Sequence, residues 1–243
     1  MNMMRQRNTA PEVTLVTDGE PTSLPLSALT YAHVGGCSPV RTFRWHRGQR
    51  HFPGWYWSAT DRTHVMYESR LELARVMLAD FDPLVCAVRS QPMRLSYVDG
   101  QGRKRTHVPD FALLYRDHRI RIVNVKPAEQ LSDPAVRALL DGAHAVFERR
   151  GFDTELWSAE RPMVMRTVAF LAGFRNPRCF DDGDLNLARS VLVGVMTVDE
   201  AECVLRHAGL DEPRPLLMHL LWTHEVHVDL MQPLEPDSAL EAS

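Results

Sequence analysis

The stretch from His107 to Lys126, H-V-P-D-F-A-L-L-Y-R-D-H-R-I-R-I-V-N-V-K, decides how this chain arranges its polar residues. Two apolar runs flank a short polar link, which is the pattern of two strands joined by a turn. Asp110 begins the first run, while Asn124 and Lys126 end the second. If the two strands are adjacent and antiparallel, these three side chains meet at one edge of a sheet.

These residue types point to chemistry on a phosphodiester. Its hydrolysis needs an activated water, neutralised phosphoryl oxygens and help for the leaving oxygen, and Mg²⁺ or Mn²⁺ on oxygen ligands can supply all three. Asp110 is the first candidate ligand. Asn124 and Lys126, two apart on one strand, share a face. The amide oxygen could bind metal and the ammonium could orient water or neutralise phosphate. Alternatively, the three are a turn acid, an edge residue and a snorkelling lysine.

A further acid is expected on a nearby helix. The segment from Tyr67 to Asp80 contains neither Gly nor Pro, is rich in helix-forming residues and stops before a proline, so it predicts a helix. Glu68 and Glu72 lie four apart and share one side of that helix. Helical geometry does not choose between them, and it also allows a solvated helix face paired with Arg75.

The remaining pattern predicts an α/β fold, a mixed sheet flanked by helices. A second helix begins at Ser132-Asp133-Pro134, which offers a cap and then a proline at the first helical position, and it ends at Gly151. Strands are predicted over Val85–Val88, Met93–Val98, Arg103–Val108, Phe111–Tyr115, Ile120–Val125 and Thr154–Trp157.

Three regions are predicted along the chain. Residues 1–40, rich in Pro, Gly, Ser and Thr, indicate a loosely ordered arm, with room for short strands. Residues 41–176 carry the α/β domain, and residues 177–243 a small module. The module is compatible with a winged-helix-like arrangement because two short helices precede a strand, over Val198–His207, Arg214–Trp222 and His224–Leu230.

Composition allows a DNA-binding face without demanding one. The net charge of -3 lacks the positive excess of most non-specific DNA binders. Residues 43–57, F-R-W-H-R-G-Q-R-H-F-P-G-W-Y-W, nevertheless interleave basic and aromatic side chains. Arginines that could contact DNA phosphates are Arg41, Arg44, Arg47 and Arg50. In the alternative interpretation this segment is a strand pair whose Trp55, Tyr56 and Trp57 cover the core.

Several other classes of protein are disfavoured. The chain has no phosphate-binding P-loop, dinucleotide-binding glycine motif or serine-esterase motif, and its histidines lack metal-ligand spacing, so they are expected at the surface or on phosphates. Four dispersed cysteines indicate reduced thiols. No apolar run reaches the length of a membrane span, and the first ten residues do not form a signal peptide. A cytoplasmic protein without a membrane partner is expected.

Four motifs in order resemble one family. S-R-L-E (Ser69–Glu72), R-S-Q-P (Arg89–Pro92), P-D-F (Pro109–Phe111) and V-N-V-K-P (Val123–Pro127) are similar to motifs of the TnsA endonucleases, members of the wider PD-(D/E)XK nuclease superfamily. The resemblance covers roughly residues 40–170. It implies a restriction-endonuclease-like core that cuts double-stranded DNA with Mg²⁺ or Mn²⁺.

The resemblance also assigns roles to residues. It selects Glu72 over Glu68 as the helix acid, identifies Asp110 as the first strand acid, and matches Lys126 to the family's lysine. Asn124 takes the position of the family's amide ligand, which is usually Gln. Glu72, Asp110 and Asn124 are thereby the implied metal ligands, with Lys126 as the fourth catalytic residue. Glu68 and Gln91 are secondary candidates.

TnsA proteins nick the 5′ ends of a transposable element beside a DDE-type transposase subunit and an AAA+ ATPase regulator. Their C-terminal winged-helix-like domain contacts partner proteins, so the resemblance implies the same partners for this chain. Two alternatives remain open: a stand-alone nuclease of defence or repair, and a DNA-binding or scaffolding protein without catalysis, which the amide at position 124 motivates.

Overall fold

The computed structural model describes residues 10–41 and 52–242. The strands within these ranges are β1 (Glu12–Thr17), β2 (Glu20–Pro25), β3 (Gly54–Trp57), β4 (His64–Tyr67), β5 (Val85–Ser90), β6 (Arg94–Val98), β7 (Lys104–His107), β8 (Phe111–Tyr115), β9 (Ile120–Val125), β10 (Asp153–Trp157), β11 (Gly194–Thr197), β12 (Val226–Val228) and β13 (Ala239–Ala242). The α-helices are α1 (Tyr31–Gly35), α2 (Arg70–Phe81), α3 (Ala128–Leu131), α4 (Pro134–Glu148), α5 (Pro162–Leu171), α6 (Asp182–Val191), α7 (Val198–His207) and α8 (Pro213–Trp222).

The chain divides into two compact units. The first unit contains Met1–Tyr56, His64–Arg75 and Leu84–Ala159. The second unit contains Trp57–Thr63, Val76–Pro83 and Glu160–Ser243. The dividing line therefore falls inside α2, and the C-terminal part of the second unit begins at Glu160 rather than at the predicted residue 177.

A mixed sheet forms the centre of the first unit. Its order is β10-β9-β8-β5, with β10 parallel to β9 and the other neighbours antiparallel. β8 is buried along its whole length, and in β9 only Arg121 is partly exposed. Apolar and β-branched residues suit strands that are covered on both faces. The predicted α/β fold class and the predicted β8–β9 pair are confirmed.

Both faces of this sheet are covered. On one face, Ile122 of β9 packs in the same core as Ala143 and Phe147 of α4. On the other face, the Arg75 guanidinium of α2 donates to both carboxylate oxygens of Glu155 in β10, over 3.0 and 2.8 Å. The sheet thus separates α4 from the part of α2 that belongs to the first unit.

The predicted N-terminal arm is more ordered than expected. β1 pairs with β2 and also with β6, in a second sheet of order β2-β1-β6-β7. Val13 and Leu15 alternate with more exposed neighbours along β1, and both are buried in the core of the first unit. This alternation lets the segment pair with a distant strand, so the described residues 10–40 form structure rather than a loose arm.

The second unit is mainly helical. Val168 and Leu171 of α5 share one core with Leu217 of α8, which explains why this unit begins before residue 177. A small sheet of order β11-β13-β12 completes it. Thr197 caps α7 with a reciprocal capping box that includes Glu200. Within the described ranges, no helix has the length and apolarity needed to cross a bilayer.

Candidate active site

Asp110 lies immediately before β8 and is held by β9. Its N–H donates to Val123 O over 3.1 Å, which continues the ladder beyond the strand end. Its Oδ2 accepts one hydrogen bond from Val125 N, over 2.7 Å, and one from Lys126 Nζ, over 3.1 Å. Oδ1 has no hydrogen-bonding partner among the described residues. The carboxylate is therefore fixed through one oxygen and open at the other.

Lys126 directly follows the last residue of β9. Its N–H donates to Trp157 O of β10, and Pro127 follows it and ends the ladder. Its Nζ donates to Val125 O over 2.9 Å as well as to Asp110. The predicted proximity of Asp110 and Lys126 is what the antiparallel β8–β9 register produces.

Glu72 lies in the first turn of α2, where its side chain folds back over the helix start. Ser69 Oγ accepts from Glu72 N over 3.1 Å, and Glu72 Oε2 accepts from Glu68 N over 2.8 Å. Burial raises the pKa of Glu72 to about 7, and the charges of Asp110 and Glu68 add to the rise, while the Glu68 N–H and the Lys126 charge oppose it. Glu72 is thus electrostatically coupled to both Asp110 and Lys126.

Glu68 belongs to a separate polar network at the same side of the unit. Its Oε1 accepts from Gln91 Nε2 over 2.8 Å and its Oε2 accepts from Arg41 Nη2 over 3.2 Å. Arg41 Nε donates to Gln91 Oε1 over 2.9 Å and closes the triangle. Arg75, the alternative partner of the helix acids, pairs instead with Glu155. Glu68 and Glu72 therefore do not form the solvated helix face paired with Arg75 that the sequence also allowed.

Gln91 connects this network to Asp110. Its N–H donates to Asp110 O over 2.8 Å, and its side chain is buried. Its φ of +43° lies in the left-handed region that non-glycine residues seldom occupy. Two side-chain hydrogen bonds and this backbone contact hold the residue in that conformation.

Asn124 is enclosed by two imidazoles. Its Oδ1 lies 3.1 Å from His107 Nε2 and 2.9 Å from His144 Nε2, and the residue is 1% exposed. An amide oxygen only accepts, so both Nε2 atoms carry hydrogen. Burial lowers the pKa of both histidines, which favours their neutral forms. The oxygen that the sequence predicts as a metal ligand is therefore engaged by two N–H groups.

Neither histidine was predicted at this site. His107 ends β7, three residues before Asp110, and His144 lies on the buried side of α4. Their only sequence signals are a histidine close to the P-D-F motif and a histidine at a core position of an amphipathic helix. Sequence analysis expected surface or phosphate-contacting histidines, and the structure instead has one half-buried and one buried imidazole.

The family match falls on this part of the chain. Residues 82–159 match the model described as the TnsA-like endonuclease N-terminal domain. This part of the chain is therefore similar to the N-terminal domain of TnsA-like endonucleases. The resemblance drawn from the four motifs is confirmed. No curated protein matches the chain at a significant level.

The matched range of the TnsA-like domain includes Asp110, Asn124 and Lys126 but begins ten residues after Glu72. The role of Glu72 thus depends on the S-R-L-E motif and on its coupling to Asp110.

The donor set of the candidate site suits a hard cation only in part. Within the described ranges, no three or more His, Cys, Asp or Glu side chains form a metal-holding group. Glu72 and Asp110 are nevertheless the oxygen donors that Mg²⁺ uses, since this ion is commonly held by one or two carboxylates with waters and substrate phosphate. The two carboxylates fit the ion, whereas the Asn124 oxygen is occupied.

The basic and aromatic segment is only partly described. Arg44, Arg47 and Arg50 lie outside the described residues. Of the aromatic residues that follow, Tyr56 is buried at 4% exposure and Trp55 is 58% exposed, so the segment contributes to the core and to the surface.

Proposed function

We propose that this chain is a divalent-metal-dependent DNA endonuclease whose reaction centre lies at Glu72, Asp110 and Lys126. One observation carries the proposal. Asp110 Oδ2 accepts hydrogen bonds from Val125 N and Lys126 Nζ, and beyond the effect of burial the negative charge of Asp110 raises the pKa of Glu72. A TnsA-like endonuclease domain over residues 82–159 supports a nuclease.

Each residue has a defined task in this proposal. Glu72 and Asp110 hold Mg²⁺ or Mn²⁺, and the bound ion supplies charge neutralisation on the phosphate and a more acidic water. Lys126 anchors Asp110 and keeps an ammonium beside the reacting phosphate. The resemblance implies Asn124 as a third ligand, but two imidazoles engage its oxygen, so Asn124 has no task as a ligand in this proposal.

Double-stranded DNA is the proposed substrate. Arg41 is exposed, and Glu68 and Gln91 hold its guanidinium. Because phosphate contacts position a nuclease on DNA, we propose that Arg41 continues into the run of Arg44, Arg47 and Arg50 as a backbone-binding segment.

Replacement of Asp110 tests this function. We expect Asp110→Ala to abolish nicking of supercoiled DNA with Mg²⁺ or Mn²⁺, because it removes a metal ligand and leaves Lys126 unpaired. Asp117→Ala is the matched control, since this acid lies on the exposed β8–β9 turn and pairs with Arg119. Unchanged cleavage by Asp110→Ala would remove the hypothesis.

The finer proposal is a TnsA-like role in a heteromeric transposase in the cytoplasm. In this role the chain nicks 5′ ends beside a DDE-type transposase subunit and an AAA+ ATPase, and residues 177–243 act as a winged-helix-like module that binds them. Free thiols at the described cysteines are compatible with that compartment. Co-expression with a DDE-type transposase subunit should give strand-specific 5′ nicks. Equal cutting without any partner would favour a stand-alone nuclease.

A DNA-binding protein without catalysis is the second candidate. The specific observation that favours it is the Asn124 oxygen, which is engaged at a position where the superfamily commonly has an acid. Calorimetric titration with Mn²⁺ separates the two functions. Retained DNA affinity with no metal binding at millimolar concentration would support the second candidate.

A further inference from the structure

The polar cluster of His107, Asn124 and His144 has no task in the reaction described above. Asn124 Oδ1 lies 3.1 Å from one imidazole nitrogen and 2.9 Å from the other. A carbonyl-type oxygen has two lone pairs, and two N–H donors use both. This oxygen therefore has no lone pair left for a metal ion.

The face of the sheet explains why Asn124 meets an imidazole of α4. The register pairs Asn124 with Leu156, so both point to one face and Glu155 points to the other. The Asn124 side chain contacts His144 of α4, whereas Glu155 contacts Arg75 of α2, the helix that carries the candidate acid. The Asn124 side chain thus lies on the face covered by α4.

His107 connects the cluster to the candidate site. An imidazole that donates from Nε2 keeps its lone pair on Nδ1, and no described residue donates to that atom. Asp110 N donates to Val123 O and Asp110 Oδ2 accepts from Val125 N, so the two residues that flank Asn124 both bond Asp110. The ring that contacts Asn124 is therefore next to the segment that holds Asp110, and the charges of Asp110 and Lys126 act on it. His107 is partly exposed, whereas Asn124 and His144 are buried.

We propose that His107 orients the attacking water through Nδ1, and that Asn124 and His144 are positioning residues that fix the tautomer and angle of its ring. The inference rests on the proposed nuclease function. His107 Nδ1 accepts a hydrogen bond from the water and so fixes the orientation of that water. Asn124 accordingly acts through His107 and does not bind metal.

Two glutamine substitutions form a matched test in the full-length protein. A glutamine amide reaches as far as imidazole Nε2 and can donate to Asn124 Oδ1, but it has no acceptor at the Nδ1 position. His107→Gln should lower kcat for nicking by about a hundredfold, with little change in KM for DNA, because the water loses its orienting group. His144→Gln should lose less than about tenfold, because it preserves the only contact that this residue makes with Asn124.

The outcomes separate this inference from the proposed function. Wild-type kcat in His107→Gln, or equal losses in the two variants, overturns the role of His107 and leaves the nuclease intact. A wild-type protein that fails to nick DNA with either metal, alone or with its partner, overturns both. Ca²⁺ affinity, measured by calorimetry, should remain within about twofold of wild type in His107→Gln, which shows that the variant is folded and its metal site complete.

Asn124→Leu provides a second measurement that does not depend on His107 variants folding. Leucine removes the amide at similar volume, and we expect Ca²⁺ affinity within about twofold of wild type together with a lowered kcat. A tenfold or larger loss of Ca²⁺ affinity would make Asn124 a metal ligand and overturn the inference.

Discussion

Single residues at the site are held by donors of different kinds. Asp110 accepts a backbone N–H and an ammonium on the same oxygen, over 2.7 and 3.1 Å. The backbone donor belongs to β9 and fixes the position of the carboxylate, while Lys126 stabilises its charge. Among the described residues, no cation gives Glu72 a hydrogen bond comparable to the one that Lys126 gives Asp110. Burial of its ionised carboxylate therefore lowers the stability of the folded protein, by an amount that depends on pH.

This cost gives a prediction for the metal-free protein. The pKa of Glu72 is about 7 in the folded chain and 4.5 as the ordinary value, so the folded state binds its proton more tightly. Preferential proton binding by Glu72 stabilises the folded state fully below pH 4.5, and this stabilisation is lost as the pH rises through 7. The difference corresponds to about 3 kcal/mol. Glu72→Gln should therefore be more stable than wild type at pH 8 by up to this amount, and much less so at pH 5.

Urea unfolding of both proteins in EDTA at pH 5 and pH 8 measures this difference. An equal difference in the free energy of unfolding between Glu72→Gln and wild type at both pH values would contradict the assignment of a raised pKa to Glu72.

The conformation of Gln91 gives another prediction. Its φ of +43° costs a residue with a Cβ about 1 kcal/mol or more relative to glycine. Gln91→Ala and Gln91→Gly both lose the hydrogen bonds to Arg41 and Glu68, but only glycine adopts this φ without strain. Gln91→Gly should be the more stable variant by about 1 kcal/mol in urea unfolding. A more stable alanine variant would mean that the backbone at residue 91 does not have this conformation.

At the scale of elements, an ion pair links α2 to β10. Arg75 lies three residues after Glu72, hence on a neighbouring part of the same helix surface. Its pair with Glu155 is largely shielded, with side chains 8% and 23% exposed. The bidentate geometry fixes the direction of the guanidinium, so it also fixes the helix that carries Glu72.

Breaking this pair should affect both stability and activity. Arg75→Ala leaves Glu155 with Arg121 Nη1 at 3.7 Å, so we expect a loss near the lower limit for a shielded pair, roughly 3 kcal/mol. Nicking should fall as well, because α2 loses its contact with β10. Arg137→Ala, which breaks the exposed pair with Asp141, is the control and should cost below about 0.5 kcal/mol. Equal stability of the two variants would contradict this role of Arg75.

At the scale of the whole molecule, the second unit takes residues from the middle of the chain. Asp80 accepts hydrogen bonds from Ser58 Oγ, Ala59 N and Thr60 N, all within that unit. Met77, Leu78 and Phe81 pack against the core that α5 and α8 build. The second unit is therefore not a detachable C-terminal appendage.

A truncated chain tests this organisation. A protein that ends at Ala159 retains α2 but lacks the core that covers Met77, Leu78 and Phe81, so it exposes a continuous apolar patch. We expect this protein to aggregate, whereas the full chain stays dispersed in size-exclusion chromatography. A variant of the truncated protein with Met77, Leu78 and Phe81 changed to Ser, Gln and Ser should be more soluble. A dispersed, cooperatively folding truncation would show that the first unit folds on its own.

Local pattern was sufficient for much of this architecture. The periodicities of two and 3.6 residues belong to short stretches of chain, so β8, β9 and α7 have the bounds predicted from sequence. The antiparallel register of β8 and β9 follows from the turn at Arg116–Arg119, and this register brings Asp110 close to Lys126. The motif order also indicated the family. The pairing of β1 with β6 was not predicted, because the two strands lie far apart in sequence.

The sequence by itself therefore determined the strands, their hairpin and the family of the domain, since these depend on neighbours along the chain. Only the tertiary structure decided the surroundings of Asn124, whose imidazole partners lie 17 and 20 positions away on β7 and α4. Such contacts depend on which face each element presents after packing. No periodicity encodes that choice, because it is made when distant apolar faces are buried together.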